Sequence, residues 1–145
     1  MTILSTDKVK LNAKVQDKYE AIRIAGELLV QAGHADPGYV DSMIERENSL
    51  STFMGGGLAI PHGTNESKGT IKSTGLSIVQ IPEGVDFGGG DIAHLVIGIA
   101  AVGDDHLDIL TNVAMICSDD DNMERILKAS SPEELIAIFE NGMDS

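Results

Sequence analysis

Residues 57–64 read GLAIPHGT, and His62 within them is the side chain of this sequence best suited to chemistry. An imidazole titrates near ~6.5, so around neutral pH it is largely uncharged, and one ring nitrogen holds a lone pair that can attack an electrophile or bind a metal. Pro61 fixes its own φ and removes an N–H, while Gly63 tolerates conformations that a Cβ resists. The spacing therefore predicts a short apolar strand running into a turn that holds His62 where a partner can reach it. The same eight residues also describe an ordinary surface turn carrying a histidine of no special role. Arg46 falls in the last turn of a predicted helix, where a cation suits the helix dipole in any protein. His106 follows two aspartates in GDDHLDIL, in the first turn of another helix. Unpaired N–H groups and partial positive charge at such an end can lie against a phosphoryl group, or His106 is one more polar first-turn residue. His94, among apolar neighbours, reads as a satisfied core or edge histidine, and His34, beside Gly33 in a loop, as a solvated one.

The chemistry open to these residues is limited. Acyl transfer needs an activated nucleophile, but no serine sits in a G-x-S-x-G elbow, and Cys117 lies in an apolar segment where a small buried hydrophobe is the ordinary reading. A zinc centre needs three or four ligands at spacings such as H-E-x-x-H; four scattered histidines and one cysteine do not provide them, although a site built from His62, His94 and His106 stays open as an alternative. The glycines at 55–57 and 88–90 lack the G-K-[ST] or G-x-G-x-x-G context of a phosphate cradle and read as loops. Phosphoryl transfer asks chiefly for a positioned nucleophile and donors to the equatorial oxygens. Neutral His62 with Arg46 and His106 can supply both.

The elements that must position these residues are legible from periodicity. Residues 8–15 alternate, with Val9, Leu11, Ala13 and Val15 on one side and Lys8, Lys10, Asn12 and Lys14 on the wet one, and predict a strand. Asp17 and Glu20 form a capping-box pattern before a helix whose stripe of Ala21, Ala25, Leu28, Leu29 and Ala32 stops at Gly33. A second helix starts at Pro37 and carries Val40, Met43, Ile44 and Glu47 along one face. Residues 75–81 predict a strand closed by Pro82-Glu83-Gly84, with a further short strand at 85–87. Residues 92–101 are almost wholly apolar and suit a strand buried on both faces. Asp104 or Asp105 caps the helix that contains His106, with Leu107, Leu110, Val113, Ala114 and Cys117 packed inward. Helices at 121–129 and 132–140, the latter burying Leu135, Ile136 and Phe139, end the chain. Alternating strands and helices imply an α/β fold, a single three-layer domain spanning 1–145 with a mixed sheet flanked by helices, whose strand order is not readable.

With 145 residues, one domain of this kind buries roughly 68–70% of its unfolded surface, enough for a proper core. Ten Lys and Arg against 23 Asp and Glu give a formal charge of -13, which argues against binding nucleic acid or an anionic membrane. The amino-terminal residues contain no apolar leader, and no apolar run approaches the ~20 residues needed to cross a bilayer. The expectation is a soluble, cytoplasmic protein without direct membrane insertion.

The run MIERENSLSTFMGGGLAIPHGT at 43–64, together with GDDHLDIL at 103–110 and GVDFGGGDIAHLVIGIA at 84–100, closely resembles the enzyme IIA component of the bacterial sugar phosphotransferase system, mannitol/fructose class, with the mannitol branch nearest. The resemblance covers essentially the whole chain. It implies that His62 is the phosphorylated histidine, that Arg46 contacts the phosphate and that His106 stabilises the phosphoryl group. It implies a relay from the phosphocarrier HPr to His62 and on to a cysteine of the enzyme IIB domain, with no metal, nucleotide or other cofactor. For that role His62 must stay neutral, its other ring nitrogen donating to a backbone carbonyl. Two alternatives stay open at this point: a fructose-type or regulatory (nitrogen-type) IIA domain, and a non-catalytic metal or ligand-binding module built on His62 and His106.

Overall fold

A computed structural model describes residues 3–64, 69–102 and 105–143, with side chains described throughout these except at 105–107 and 142–143. Among the described residues one five-stranded sheet runs in the order β1-β4-β5-β3-β2. Its strands are β1 (Val9–Lys10), β2 (Phe53–Gly55), β3 (Leu58–Ala59), β4 (Gly75–Asp86) and β5 (Ile92–Ala100). β4 and β5 pair antiparallel in the centre, β1 and β3 add parallel on either side, and β2 closes the far edge antiparallel to β3. Helices α1 (Lys18–Gln31) and α2 (Tyr39–Ser49) pack on one face; α3 (Asp105–Ser118), α4 (Asp120–Lys128) and α5 (Pro132–Met143) pack on the other. This is the three-layer α/β arrangement with a mixed sheet that the alternation of elements implies.

β5 is apolar apart from His94 because helices cover both its faces: Leu95, Ile97 and Ile99 meet α3, α4 and α5, while Ala93, Val96 and Ala100 meet α1 and α2. Each of the Leu, Ile and Val side chains, wholly removed from water, stabilises the fold by about 1.5–3 kcal/mol, so this one strand anchors both cores. α1 starts where Asp17 accepts the Glu20 N–H at 2.9 Å, and it lies close on the sheet over Gly98, where an added Cβ would come within 3.1 Å of the Ala25 Cβ. Gln80, buried inside β4, donates to the carbonyls of Ile126 and Ala129 and so satisfies the end of α4.

Four local expectations are corrected. Residues 8–15 do not form one strand: a 3-10 turn at Thr6–Lys8 leads into only two paired residues, and Asn12 at φ 54° turns the chain away. Lys8, assigned to the wet face, is buried, and so is His34, read as solvated. Lys8 Nζ lies 2.6 Å from His34 Nε2 and donates to the Ile3 carbonyl, while His34 Nδ1 is 2.8 Å from the Ser73 hydroxyl. A lysine next to a turn thus reaches inward, which alternation cannot reveal. Pro82-Glu83-Gly84 does not end a strand either. β4 continues through it as an exposed irregularity, where register slips between Gln80 and Val85 and proline's missing N–H faces no ladder partner.

Candidate active site

His62 stands just past the end of β3. Leu58 and Ala59 pair with Leu95 and Val96, the chain continues beside β5, and His62 makes a last parallel bridge to Ile99. The peptides on both sides of the histidine are held. The Ile99 N–H donates to the Pro61 carbonyl at 3.0 Å, and the Gly63 N–H donates to the Tyr39 hydroxyl at 2.9 Å. Tyr39 in turn donates to the Ile99 carbonyl at 2.6 Å. The ring is half-buried, and its Nδ1 lies 2.9 Å from the Ile60 carbonyl oxygen. A carbonyl only accepts, so Nδ1 carries the proton and, in the neutral ring, Nε2 carries the lone pair. This is the tautomer-fixing contact expected of a nucleophilic histidine.

Helix α2 supplies the surroundings. Tyr39, Met43 and Glu47, spaced four apart, are all buried on its inner face, and Arg46 sits half-buried in its last turn with Nη1 2.5 Å from the Leu50 carbonyl. Arg46 therefore does satisfy the helix end, as its position suggests, while its charge also acts on His62. Burial lowers the His62 pKa below the usual imidazole value and the Arg46 guanidinium lowers it further, against the opposing pull of the Ile60 carbonyl bond and the Glu47 carboxylate. The net result favours the neutral, nucleophilic ring.

Glu47 is a buried carboxylate with a full set of donors: the Thr52 N–H at 2.8 Å, the Thr52 hydroxyl at 2.6 Å and Lys18 Nζ at 3.3 Å. Burial alone would raise its pKa, but the bonds from Thr52, Ser51 and Lys18 outweigh that and hold it below the ordinary value. The Thr52 carbonyl accepts the Ile60 N–H at 3.0 Å. A continuous path of hydrogen bonds thus runs from Glu47 through Thr52 and Ile60 to the His62 ring. Sequence reading placed Glu47 on the inner face of α2 but gave it no partner, and it gave Tyr39 no place at all. The only signals were an acid and a phenol at helical spacing from Met43, which look like any amphipathic helix.

The structure brings Arg46 and His62 together. His106 lies in the first turn of α3, as expected, but its side chain is outside the described residues, as are Asp104 and the side chains of Asp105 and Leu107. His94 lies near the opposite end of β5 from Ile99, roughly 16 Å along the strand from the residue that His62 faces. It is half-buried with Nδ1 3.3 Å from the Ile81 carbonyl, so a metal site joining it to His62 is ruled out by distance. Among the described residues no cluster of three or more His, Cys, Asp or Glu could hold a metal. Cys117 is buried, its thiol pushed up to about 12 by burial, and is unreactive as expected of a small core hydrophobe.

Residues 2–142 match the model of the family described as phosphoenolpyruvate-dependent sugar phosphotransferase system, EIIA 2. The chain belongs to this family. As an EIIA component it is a phosphotransferase. The mannitol-specific phosphotransferase enzyme IIA component of Bacillus subtilis (strain 168) is 50% identical over 139 residues, covering 96% of this chain and 97% of the relative, and that of Geobacillus stearothermophilus is 48% identical over 139 residues, covering 96% of each. Among solved structures, the crystal structure of IIA mannitol from Escherichia coli superposes with a TM-score of 0.88 at 40% identity, covering 94% of this chain and 98% of that one. The IIA chain in the complex of enzyme IIAMTL with phosphorylated enzyme IIBMTL from E. coli gives 0.90 at 38% identity, covering 95% and 97%. The mixed sheet and its two helical layers are therefore the fold of this EIIA family.

Proposed function

We propose that His62 is the phosphoryl carrier: Nε2 attacks the phosphorus of phospho-HPr, the bond from phosphorus to the donor breaks as the N–P bond forms, and the phosphoryl group then passes to a cysteine of an enzyme IIB domain. The observation that carries this reading is the Nδ1–H bond to the Ile60 carbonyl, which leaves the lone pair on Nε2. Throughout transfer that carbonyl keeps its bond to Nδ1 and offsets the positive charge the ring gains. Arg46 pairs with phosphate oxygens, and His106, at the start of α3 beside backbone N–H donors, stabilises the phosphoryl group without carrying it. No cofactor takes part.

We assign the relay to mannitol uptake, on the support of relatives named mannitol-specific at 44–50% identity and of a IIA structure solved with phosphorylated IIBMTL. The sheet, covered on both faces, supports a single domain over 1–145. No helix among the described residues is long and apolar enough to cross a membrane, and we assign the protein to the cytoplasm, where phosphoenolpyruvate is made. The test is incubation with enzyme I, HPr, phosphoenolpyruvate and mannitol- and fructose-type IIB domains, followed by site mapping under alkaline conditions. Label on His62 that discharges to the mannitol IIB is expected. Label that discharges to no IIB supports a regulatory role instead, and label on His106 overturns the division of roles. His106→Ala should still be phosphorylated on His62, at a reduced rate.

A further inference from the structure

We propose that the Tyr39 hydroxyl is a positioning group for phosphoryl transfer: by joining the Ile99 carbonyl to the Gly63 N–H, it locks the backbone on the far side of His62 to β5 and so fixes the ring. This rests on the reading that His62 is the acceptor. The peptide before His62 is held by the strand itself, through the Ile99 N–H and the Pro61 carbonyl. The peptide after it has Tyr39. The ring's bond to Ile60, two residues back along the same chain, requires the backbone of His62 to keep its conformation, because that contact closes a small loop through the histidine's own φ, ψ and side-chain torsions. Freeing one of the two flanking peptides loosens that loop.

A buried phenol needs a partner in any core, and the Ile99 carbonyl alone would satisfy it. The second bond, to the residue next to His62, is what a packing role does not require. Tyr39 is only 2% exposed, so it cannot touch a docking protein, and burial pushes its phenol up to about 12, so the hydroxyl remains a donor at every physiological pH. Its effect must therefore fall on the reacting geometry and not on encounter.

The experiment compares Tyr39→Phe, which keeps the ring and removes both bonds, with Phe139→Leu, a core change beneath the other face of the sheet that leaves the His62 surroundings intact. In Tyr39→Phe the saturated rate of transfer from phospho-HPr should fall roughly tenfold to a hundredfold while the half-saturating HPr concentration changes less than about twofold. Ring ¹⁵N shifts of His62 should show a single Nδ1–H tautomer in the unmutated protein and a mixture in Tyr39→Phe. Phe139→Leu should lose thermal stability yet keep the rate and the tautomer. Equal slowing in both variants makes Tyr39 merely structural and overturns the proposal, as does a parent rate and tautomer in Tyr39→Phe. Should Tyr39→Phe fail to fold, amide exchange on the unmutated protein decides: Gly63 protected to the same degree as Ile99 supports the link, and Gly63 exchanging like an open loop removes it. Mapping the label on the unmutated protein separates the two readings. Label away from His62 overturns both, whereas label on His62 with an unaffected Tyr39→Phe overturns only the role of Tyr39.

Discussion

His62 and His34 are alike in the property most often used to pick out reactive histidines and opposite in everything else. Burial is the leading cause that lowers the pKa of both, and a nearby cation, Arg46 for one and Lys8 for the other, lowers it further. At His34 both ring nitrogens are engaged inside the protein, one by Lys8 and one by Ser73, and the side chain is sealed from solvent. It ties the amino-terminal turn and the end of α1 to the segment ahead of β4. At His62 the contact of Nδ1 is to a backbone carbonyl, and the ring is only half-buried at the end of a strand. A depressed pKa therefore reports burial at both histidines, while the kind of partner on Nδ1 and the exposure of the ring tell them apart.

The widest separation between the two should come from substitution. His62→Gln should fold and accept no phosphoryl group from HPr, whereas His34→Ala should still be phosphorylated but lose about 1–3 kcal/mol of stability, since it removes a buried ring and its contacts to Lys8 and Ser73. Labelling and chemical denaturation read the two effects, and acid-labile label on His62→Gln breaks the comparison. Next in size is Arg46→Ala. Loss of a charge-assisted contact to phosphate is expected to cost about 1.5–3 kcal/mol, or one to two decades in transfer rate if the contact forms mainly in the transition state. The same variant sharpens the electrostatic account. Attack needs the neutral ring, so the rate should be flat at neutral pH and fall in acid with a midpoint below the ordinary 6.5; removing the Arg46 charge, which lowers that pKa, should move the midpoint upward. An unmoved midpoint would show that Arg46 does not act on the ring.

The test with no expected effect on transfer concerns the other histidine's partner. Burial lowers the Lys8 pKa from 10.5 to about 8 despite the opposing charge of Asp7, so between those values the unfolded chain binds more protons than the folded one, and stability should rise with pH across that window. Lys8→Met should flatten the rise without altering phosphorylation at neutral pH. A denaturation series from pH 7 to 11 on both proteins checks it, and an identical slope in the two would mean that Lys8 titrates as if in water.

The sequence by itself determined the elements whose signals are local: the cap of α1 at Asp17, the inward stripe of α2 with Glu47 on it, and β5, which is almost wholly apolar because both its faces are covered. It determined the GLAIPHGT turn and, through likeness along the whole chain, the family. Local signals suffice there because caps, periodicity and turn chemistry act within a few residues. Tertiary structure alone decided the strand order, since nothing in the sequence of β1 or β3 says which neighbour it will join. It decided that β4 carries on through Pro82-Glu83-Gly84, because pairing with β5 resumes beyond the irregularity. It decided too that Lys8 turns inward to His34 across 26 residues, and that Tyr39 reaches Ile99 and Gly63 across 60 and 24. These contacts join groups whose partners lie far off along the chain, so each residue looks ordinary until the fold brings its partner to it.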